Sequence, residues 1–167
     1  SMTSEEIRRL RLCNVDLTET FLPLNTFEEV LEHLKNKCIL NLDRSIKILD
    51  DVMKIVNKHN MADQVLLKSD PSDASLKMVE TFAPKVDYMP IFMEEDVASE
   101  KIENMNINYI GAELVFKSES SSIAQDSYID MMHKKGRILW GNSIVYSSRV
   151  PLAAGHNDDI SLTGDPE

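Results

Sequence analysis

Two polar side chains stand two residues apart near the end of an apolar run. The run is "ILNLDR", in which Asn41 and Asp43 interrupt aliphatic residues. Because the side chains of a strand alternate between its two faces, Asn41 and Asp43 would share one face, which in a barrel is the interior. An interior carboxylate is costly unless a cation compensates its charge. Two interpretations of Asp43 stay open: a cap for a helix that starts near Ser45, or a ligand for a hard cation such as Ca²⁺ or Mg²⁺.

A lysine and a glutamate interrupt two further apolar runs. Lys68 ends "QVLLKS", where it is either a solvated side chain at a strand end or, beside Asp43, a contact for phosphate. Glu113 lies inside "YIGAELVF". A glutamate in a protein interior needs a cation, a proton or a lysine close to it. We predict that Lys68 is the partner of Glu113.

The last apolar run contains an aromatic residue and an amide. Trp140 and Asn142 lie two apart in "RILWGNSIVY", so that they too would share one face of a strand. Trp140 is the only tryptophan of the chain. A single tryptophan either packs in the core or forms an aromatic wall against an alkyl or polyol group, and both interpretations stay open.

Common catalytic motifs are missing from the sequence. It contains no G-x-S-x-G, C-x-x-C, H-E-x-x-H or P-loop pattern, so it does not support acyl transfer or zinc-dependent hydrolysis. The cluster of His156, Asp158 and Asp159 in "AGHNDD" lacks a spacing typical of metal ligands. We expect that cluster to be a solvated loop.

The polar residues are predicted to sit on strands that alternate with helices. The strand starts at 38, 64, 86, 109 and 137 lie 26, 22, 23 and 28 residues apart, which is the spacing of β/α units. Strands separated by helices pair in parallel, with right-handed crossovers. The five predicted strands are Cys38–Asp43, Gln64–Ser69, Val86–Phe92, Tyr109–Phe116 and Arg137–Asn142.

Helix signals separate the predicted strands. Thr3 with Glu6, and Thr26 with Glu29, form capping boxes, and Gly136 stands where a helix would end in a left-handed residue. The helix that follows the first predicted strand carries an apolar stripe at Ile48, Leu49, Val52, Ile55 and Val56.

Two architectures fit this alternation, an open doubly wound sheet and a (β/α)8 barrel. No strand is followed by a glycine-rich phosphate loop, which weighs weakly against the first. A complete barrel needs about 250 residues, whereas the chain has 167. We therefore predict an α/β fold that is an incomplete (β/α)8 TIM barrel of about five parallel strands, a single partial domain over residues 1–167.

Composition argues against nucleic acid, membranes and a disulfide framework. The formal net charge is -10, with no long Lys/Arg block, so we expect neither nucleic acid nor an anionic membrane surface to bind. No apolar stretch approaches the roughly 18 residues of a membrane span. The two cysteines, Cys13 in a predicted loop and Cys38 entering a strand, are too few for a disulfide framework.

Seven segments, taken in order, resemble the middle and late part of the glycerophosphodiester phosphodiesterase family. The resemblance covers nearly the whole chain, from about Ser4 to Glu167. It implies a (β/α)8 barrel of lipid metabolism that hydrolyses glycerophosphodiesters to an alcohol and glycerol 3-phosphate with Ca²⁺ or Mg²⁺. The compartment of this chain stays unknown, and a periplasmic or secreted location is compatible with the family. The segments are "EEIRRLRL", "LPLNTFEEVLE", "ILNLDR", "MADQVLLKS", "GAELVF", "ILWGNSIVY" and "AGHNDD".

The resemblance assigns ligand-binding roles but no catalytic residue to this chain. The family's catalytic histidines lie in His-Arg-Gly and His-Asp motifs, which this sequence does not contain, so we expect the chain alone to be inactive. The family's Glu-x-Lys strand end corresponds here to "NLDR", and direct overlay puts Asn41 on the metal-binding glutamate position and Asp43 on the lysine position. A one-turn adjustment makes Asp43 the metal ligand, and we favour Asp43, with Asn41, because a charged oxygen holds a hard cation better than an amide does. The implied substrate-binding residues are Lys68, Glu113, Trp140 and Asn142.

Other functions remain open. The chain would alternatively be a non-catalytic module that binds phosphate and polyol groups, or one that pairs strands with another chain. Exposed edges of an incomplete barrel are expected to favour a homo-oligomer. A third option is an open α/β sheet unrelated to phosphodiesters.

Overall fold

Two compact units make up the chain. The computed structural model describes residues 2–143 and residue 153. The first unit is Ser1–Cys38 and the second is Ile39–Glu167. The residues predicted to bind ligand all belong to the second unit.

Two short helices flank an antiparallel hairpin in the first unit. These elements are α1 (Ser4–Arg9), β1 (Arg11–Cys13), β2 (Glu19–Pro23) and α2 (Phe27–Leu34). Both helices begin with the predicted capping boxes, at Thr3 and at Thr26. The hairpin was not predicted, and the loop prediction for Cys13 is wrong because this residue lies in β1 and pairs with Glu19.

Strands and helices alternate through the second unit, as predicted. All five predicted strands are present, with ends within two residues of the predicted ones. Tyr109 and Asp43 are among the boundary residues of the predicted strands that lie outside the regular strands. The elements are β3 (Leu40–Leu42), α3 (Leu49–Lys58), β4 (Val65–Ser69), α4 (Asp73–Phe82), β5 (Asp87–Met93), α5 (Ser99–Glu103), β6 (Gly111–Val115), α6 (Asp126–Lys134) and β7 (Ile138–Gly141).

The strands of this unit form one parallel sheet in sequential order, β3-β4-β5-β6-β7. A doubly wound sheet reverses its strand order at a switch point, and residues 39–143 contain no such reversal. Because parallel crossovers are almost always right-handed, sequential order places all the helices on one face. The fold of this unit is thus a parallel α/β sheet with a helix-covered face.

Apolar side chains from β4, β5 and β6 meet the helices on the covered face. Leu67, Phe92 and Leu114 are at most 4% exposed. The stripe predicted for α3 is confirmed at Leu49, Val52 and Val56, which are all buried. It is wrong at Ile48, which is 59% exposed because α3 begins one residue later and Ile48 ends a short 3-10 turn.

The helix α6 ends as its sequence predicts. Gly136, with φ of 72°, follows α6 in the left-handed conformation that the sequence predicted. Within residues 2–143 and 153, no helix has the length and apolar character needed to cross a membrane.

Two tyrosines of the second unit have buried side chains. Tyr88 of β5 is fully buried, and its hydroxyl shares a 2.9 Å hydrogen bond with that of Ser69. Tyr109 is 4% exposed and shares a 2.7 Å hydrogen bond with Ser99. Burial disfavours the phenolate, and it raises the pKa of both Tyr88 and Tyr109 to about 12.

These tyrosines predict a loss of stability at alkaline pH. An unfolded tyrosine titrates at pH 10.0, so the stabilisation is complete below pH 10.0 and is lost as the pH rises towards 12. Urea unfolding measured from neutral pH to pH 12 should show this fall in the free energy of unfolding. A Tyr88→Phe/Tyr109→Phe variant should lose less stability over the same range. An equal fall in both proteins would contradict the prediction.

Candidate functional site

The predicted site residues lie at the carboxyl ends of the parallel strands. Glu113 of β6 is in register with Ile91 of β5 and with Trp140 of β7. Lys68 of β4 is in register with Met89, which is two residues from Ile91 on the same face of β5. Register and alternation therefore place Lys68, Glu113 and Trp140 on one face of the sheet.

This face of the sheet continues onto the edge strand, β3. Asn41 of β3 is in register with Leu66, which is two residues before Lys68. Asn41 thus stands on the same face as Lys68. This face is opposite to the one that carries Leu67, Phe92 and Leu114 against the helices.

Lys68 and Glu113 form a buried ion pair. Lys68 Nζ lies 2.6 Å from Glu113 Oε2, and the two residues are 8% and 5% exposed. The sequence-based prediction that Lys68 is the partner of Glu113 is confirmed. Asn142 Nδ2 donates to the second carboxylate oxygen, Glu113 Oε1, at 2.6 Å. Both oxygens of Glu113 are thereby hydrogen-bonded, as a buried carboxylate requires.

Trp140 adds an aromatic surface to this pair. Lys68 Nζ lies 4.0 Å from the centroid of the indole ring, in cation–π contact. Trp140 is 44% exposed, so the interpretation of this residue as core packing is wrong. Part of the indole surface remains accessible to a ligand.

Asn41 and Asp43 are exposed to solvent, in contrast to the interior positions predicted for them. The strand β3 ends at Leu42, and Asp43 stands in a turn with its side chain 64% exposed, next to Arg44 in a left-handed conformation (φ 53°). The desolvation cost expected for an interior carboxylate therefore does not arise at Asp43. The nearest ionic partner is Arg44 Nε, 3.8 Å from Asp43 Oδ2.

Asp43 does not cap a helix. The short 3-10 turn Ile46–Ile48 follows Ser45, and α3 follows Ile48, with no side-chain hydrogen bond at either start. The Ser45 hydroxyl instead donates to the Leu42 carbonyl at 2.9 Å. The capping interpretation of Asp43 is therefore wrong, and the cation-ligand interpretation stays a prediction.

One open cavity brings all the predicted site residues together. Its volume is about 780 Å³, within the usual range for small-molecule sites. Six of its lining residues are those singled out from the sequence, namely Asn41, Asp43, Lys68, Glu113, Trp140 and Asn142. The convergence of these residues on one cavity follows from the parallel sheet, since each stands at the same end of its strand.

Several residues that line this cavity were not predicted from the sequence. Arg44 and Lys47 add two cationic side chains after β3. Ile91, Met93 and Val115 add an apolar wall. A signal for the apolar wall was present, because Ile91 and Met93 alternate at the end of β5 in phase with Met89, the register partner of Lys68.

His156, Asp158 and Asp159 lie outside the described residues, so the prediction of a solvated loop for them stays a prediction.

Comparison with known proteins does not assign the chain to a family. No protein-family model matches the chain, and no curated protein matches it in sequence. The resemblance to phosphodiesterases thus depends on the residues and their order alone. The structure defines the class, an α/β protein with a sequential, five-stranded parallel sheet and a polar cavity at the carboxyl ends of its strands.

Proposed function

We propose that this chain belongs to a (β/α)8 barrel of the glycerophosphodiester phosphodiesterase type, and that its cavity binds a glycerophosphodiester. One observation carries the proposal, the convergence of the six predicted residues on a single cavity. Ligands of α/β proteins bind at the carboxyl ends of the strands, which is where these residues stand. The sequential strand order agrees with a singly wound barrel wall.

The reaction of the intact enzyme would be hydrolysis of the phosphodiester to an alcohol and glycerol 3-phosphate. Acid and base catalysis in such a reaction need titratable groups within reach of the attacking and leaving oxygens. The family's histidine motifs supply these groups, and the 167-residue sequence does not contain those motifs. The role of this chain is therefore to bind and orient the substrate, and we expect no turnover by the chain alone.

Asp43 and Asn41 have the donor chemistry of a hard-cation site. Their carboxylate and amide oxygens are ligands of the kind that Ca²⁺ and Mg²⁺ prefer. Both side chains line the cavity and are exposed. When bound, the cation would neutralise charge on the phosphoryl oxygens. Because Arg44 lies beside Asp43, we expect weak cation binding that Asp43→Asn abolishes and that isothermal titration with CaCl₂ measures.

Tryptophan fluorescence tests the proposal, since Trp140 is the only tryptophan and lines the cavity. Titration of the chain with glycerophosphocholine should shift or quench this emission to saturation. Arg8→Ala in the first unit is a control that should bind equally well. Glu113→Lys places a second cation in the buried site and should abolish binding.

Two results would overturn the proposed function. The first is an unchanged emission at every glycerophosphocholine concentration, with calorimetry also showing no binding. The second is metal-dependent hydrolysis of glycerophosphocholine by the purified chain, which would place the catalytic groups in this sequence. A folded state for each variant is checked by circular dichroism.

A further inference from the structure

The ion pair in the cavity differs from an ordinary phosphate site. We infer that Lys68 and Glu113 together recognise adjacent hydroxyl groups at the uncharged polyol end of the ligand, and that the phosphoryl group of the same ligand does not bind to Lys68. The inference rests on the proposed function and assigns the two ends of the ligand to different parts of the same cavity. It reassigns Lys68 from a phosphate contact to a hydroxyl contact.

Charge is the first reason. Glu113 Oε2 lies 2.6 Å from Lys68 Nζ, so the ammonium charge is already compensated within the protein. Both residues are buried, and water therefore screens the pair weakly. A phosphoryl oxygen within hydrogen-bond distance of Lys68 would also be close to the carboxylate of Glu113. The repulsion between those two anionic groups opposes phosphate binding at this position.

Hydrogen-bonding capacity is the second reason. A lysine ammonium has three donors, and Lys68 uses one of them on Glu113. A carboxylate offers about four acceptor positions, and Lys68 and Asn142 occupy two of those on Glu113. A hydroxyl group can accept from Lys68 and donate to Glu113 at once. Two neighbouring hydroxyls use the capacity of both groups without adding charge.

The walls of the cavity complete a site for a polyol. Trp140 presents part of its indole beside Lys68, and Ile91, Met93 and Val115 add aliphatic surface. The C–H groups of a polyol pack against such apolar and aromatic surfaces while its hydroxyls reach the polar groups.

The phosphoryl group then has a different part of the cavity available. Arg44 and Lys47 line the same cavity in the turn after β3. The Arg44 side chain is 94% exposed, and Lys47 is also exposed, so an anion can approach them from solvent. Arginine and lysine are the usual partners of phosphate oxygens.

A pair of matched ligands tests the inference in the wild-type chain. Glycerophosphocholine carries two free hydroxyls, and ethyl phosphocholine has the same phosphodiester and choline but no hydroxyl. Isothermal titration should give an affinity at least about tenfold higher for glycerophosphocholine, since a site built to bind hydroxyls discriminates against analogues that lack them. In Glu113→Gln, which keeps the shape of the side chain, that ratio should fall and ethyl phosphocholine should bind more tightly than to wild type.

Other binding results separate the inference from the proposed function. Equal affinities of the two ligands for wild type would overturn the inference and leave the proposed function standing. Binding of free glycerol with no binding of either diester would overturn the proposed function and support hydroxyl recognition. If none of the three ligands binds, both are overturned. The wild-type comparison decides the matter even where Glu113→Gln fails to fold.

Discussion

Replacing Glu113 by leucine should reduce the free energy of unfolding by about 3–5 kcal/mol, because it leaves a buried charge without its partner. Lys68 is 8% exposed, and its ammonium donates to Glu113 at 2.6 Å. Leucine would also remove Glu113 Oε1, which accepts one hydrogen bond from the Asn142 amide. Chemical denaturation followed by circular dichroism measures this loss.

The double variant Lys68→Met/Glu113→Leu is the matched control for that measurement. Replacing both partners of a buried ion pair by apolar residues is often neutral or stabilising. We therefore expect the double variant to recover most of the stability that Glu113→Leu loses. An additive loss in the double variant, or a single-variant loss below about 1 kcal/mol, would show that the pair is solvated rather than buried.

Gly111→Ala is expected to disrupt the pairing of β6 with β7. A Cβ atom at position 111 would collide with the carbonyl oxygen of Ile138 on β7, and this contact is between backbone atoms that have no alternative rotamer. Overpacking of a folded structure typically costs about 1–3 kcal/mol, and a backbone collision belongs at or above the upper end of that range. Because β7 carries Trp140, the tryptophan emission should shift as well.

Gly141→Ala is the control for this prediction. The same substitution at Gly141, in β7 itself, meets no atom of residues 2–143 or 153 within 4 Å and should change the free energy of unfolding by less than about 0.5 kcal/mol. Denaturation of both variants with fluorescence and circular dichroism makes the comparison. Equal stabilities of the two variants would contradict the close approach of β6 and β7.

The parallel sheet could be predicted from the sequence because its strands are short apolar runs between strong helix signals. The capping boxes at Thr3 and Thr26 depend on residues three apart in the sequence. Because such a pattern is local, it can be recognised without knowledge of the tertiary structure. The hairpin of β1 and β2 could not be predicted in this way. Its strands lack apolar alternation, and β1 has only three residues, so that pairing between strands decides it.

The candidate site was predictable to the extent that it depends on alternation along strands. Glu113 was assigned to Lys68 because a buried glutamate needs a cation, and the pair is present. The interior position predicted for Asp43 was wrong, because the exposure of this residue depends on where β3 ends. Strand ends are set by tertiary contacts and not by local sequence pattern. The cationic residues Arg44 and Lys47 carry no signal in the sequence that separates them from solvated surface residues.

A crystal structure of the chain grown with glycerophosphocholine tests most directly whether the cavity at the strand ends binds such a ligand. We predict that the glycerol hydroxyls lie within hydrogen-bond distance of Lys68 and Glu113 beside Trp140, with the ion pair intact. A ligand bound away from this cavity, or a phosphoryl group on Lys68 with Glu113 displaced, would contradict this prediction.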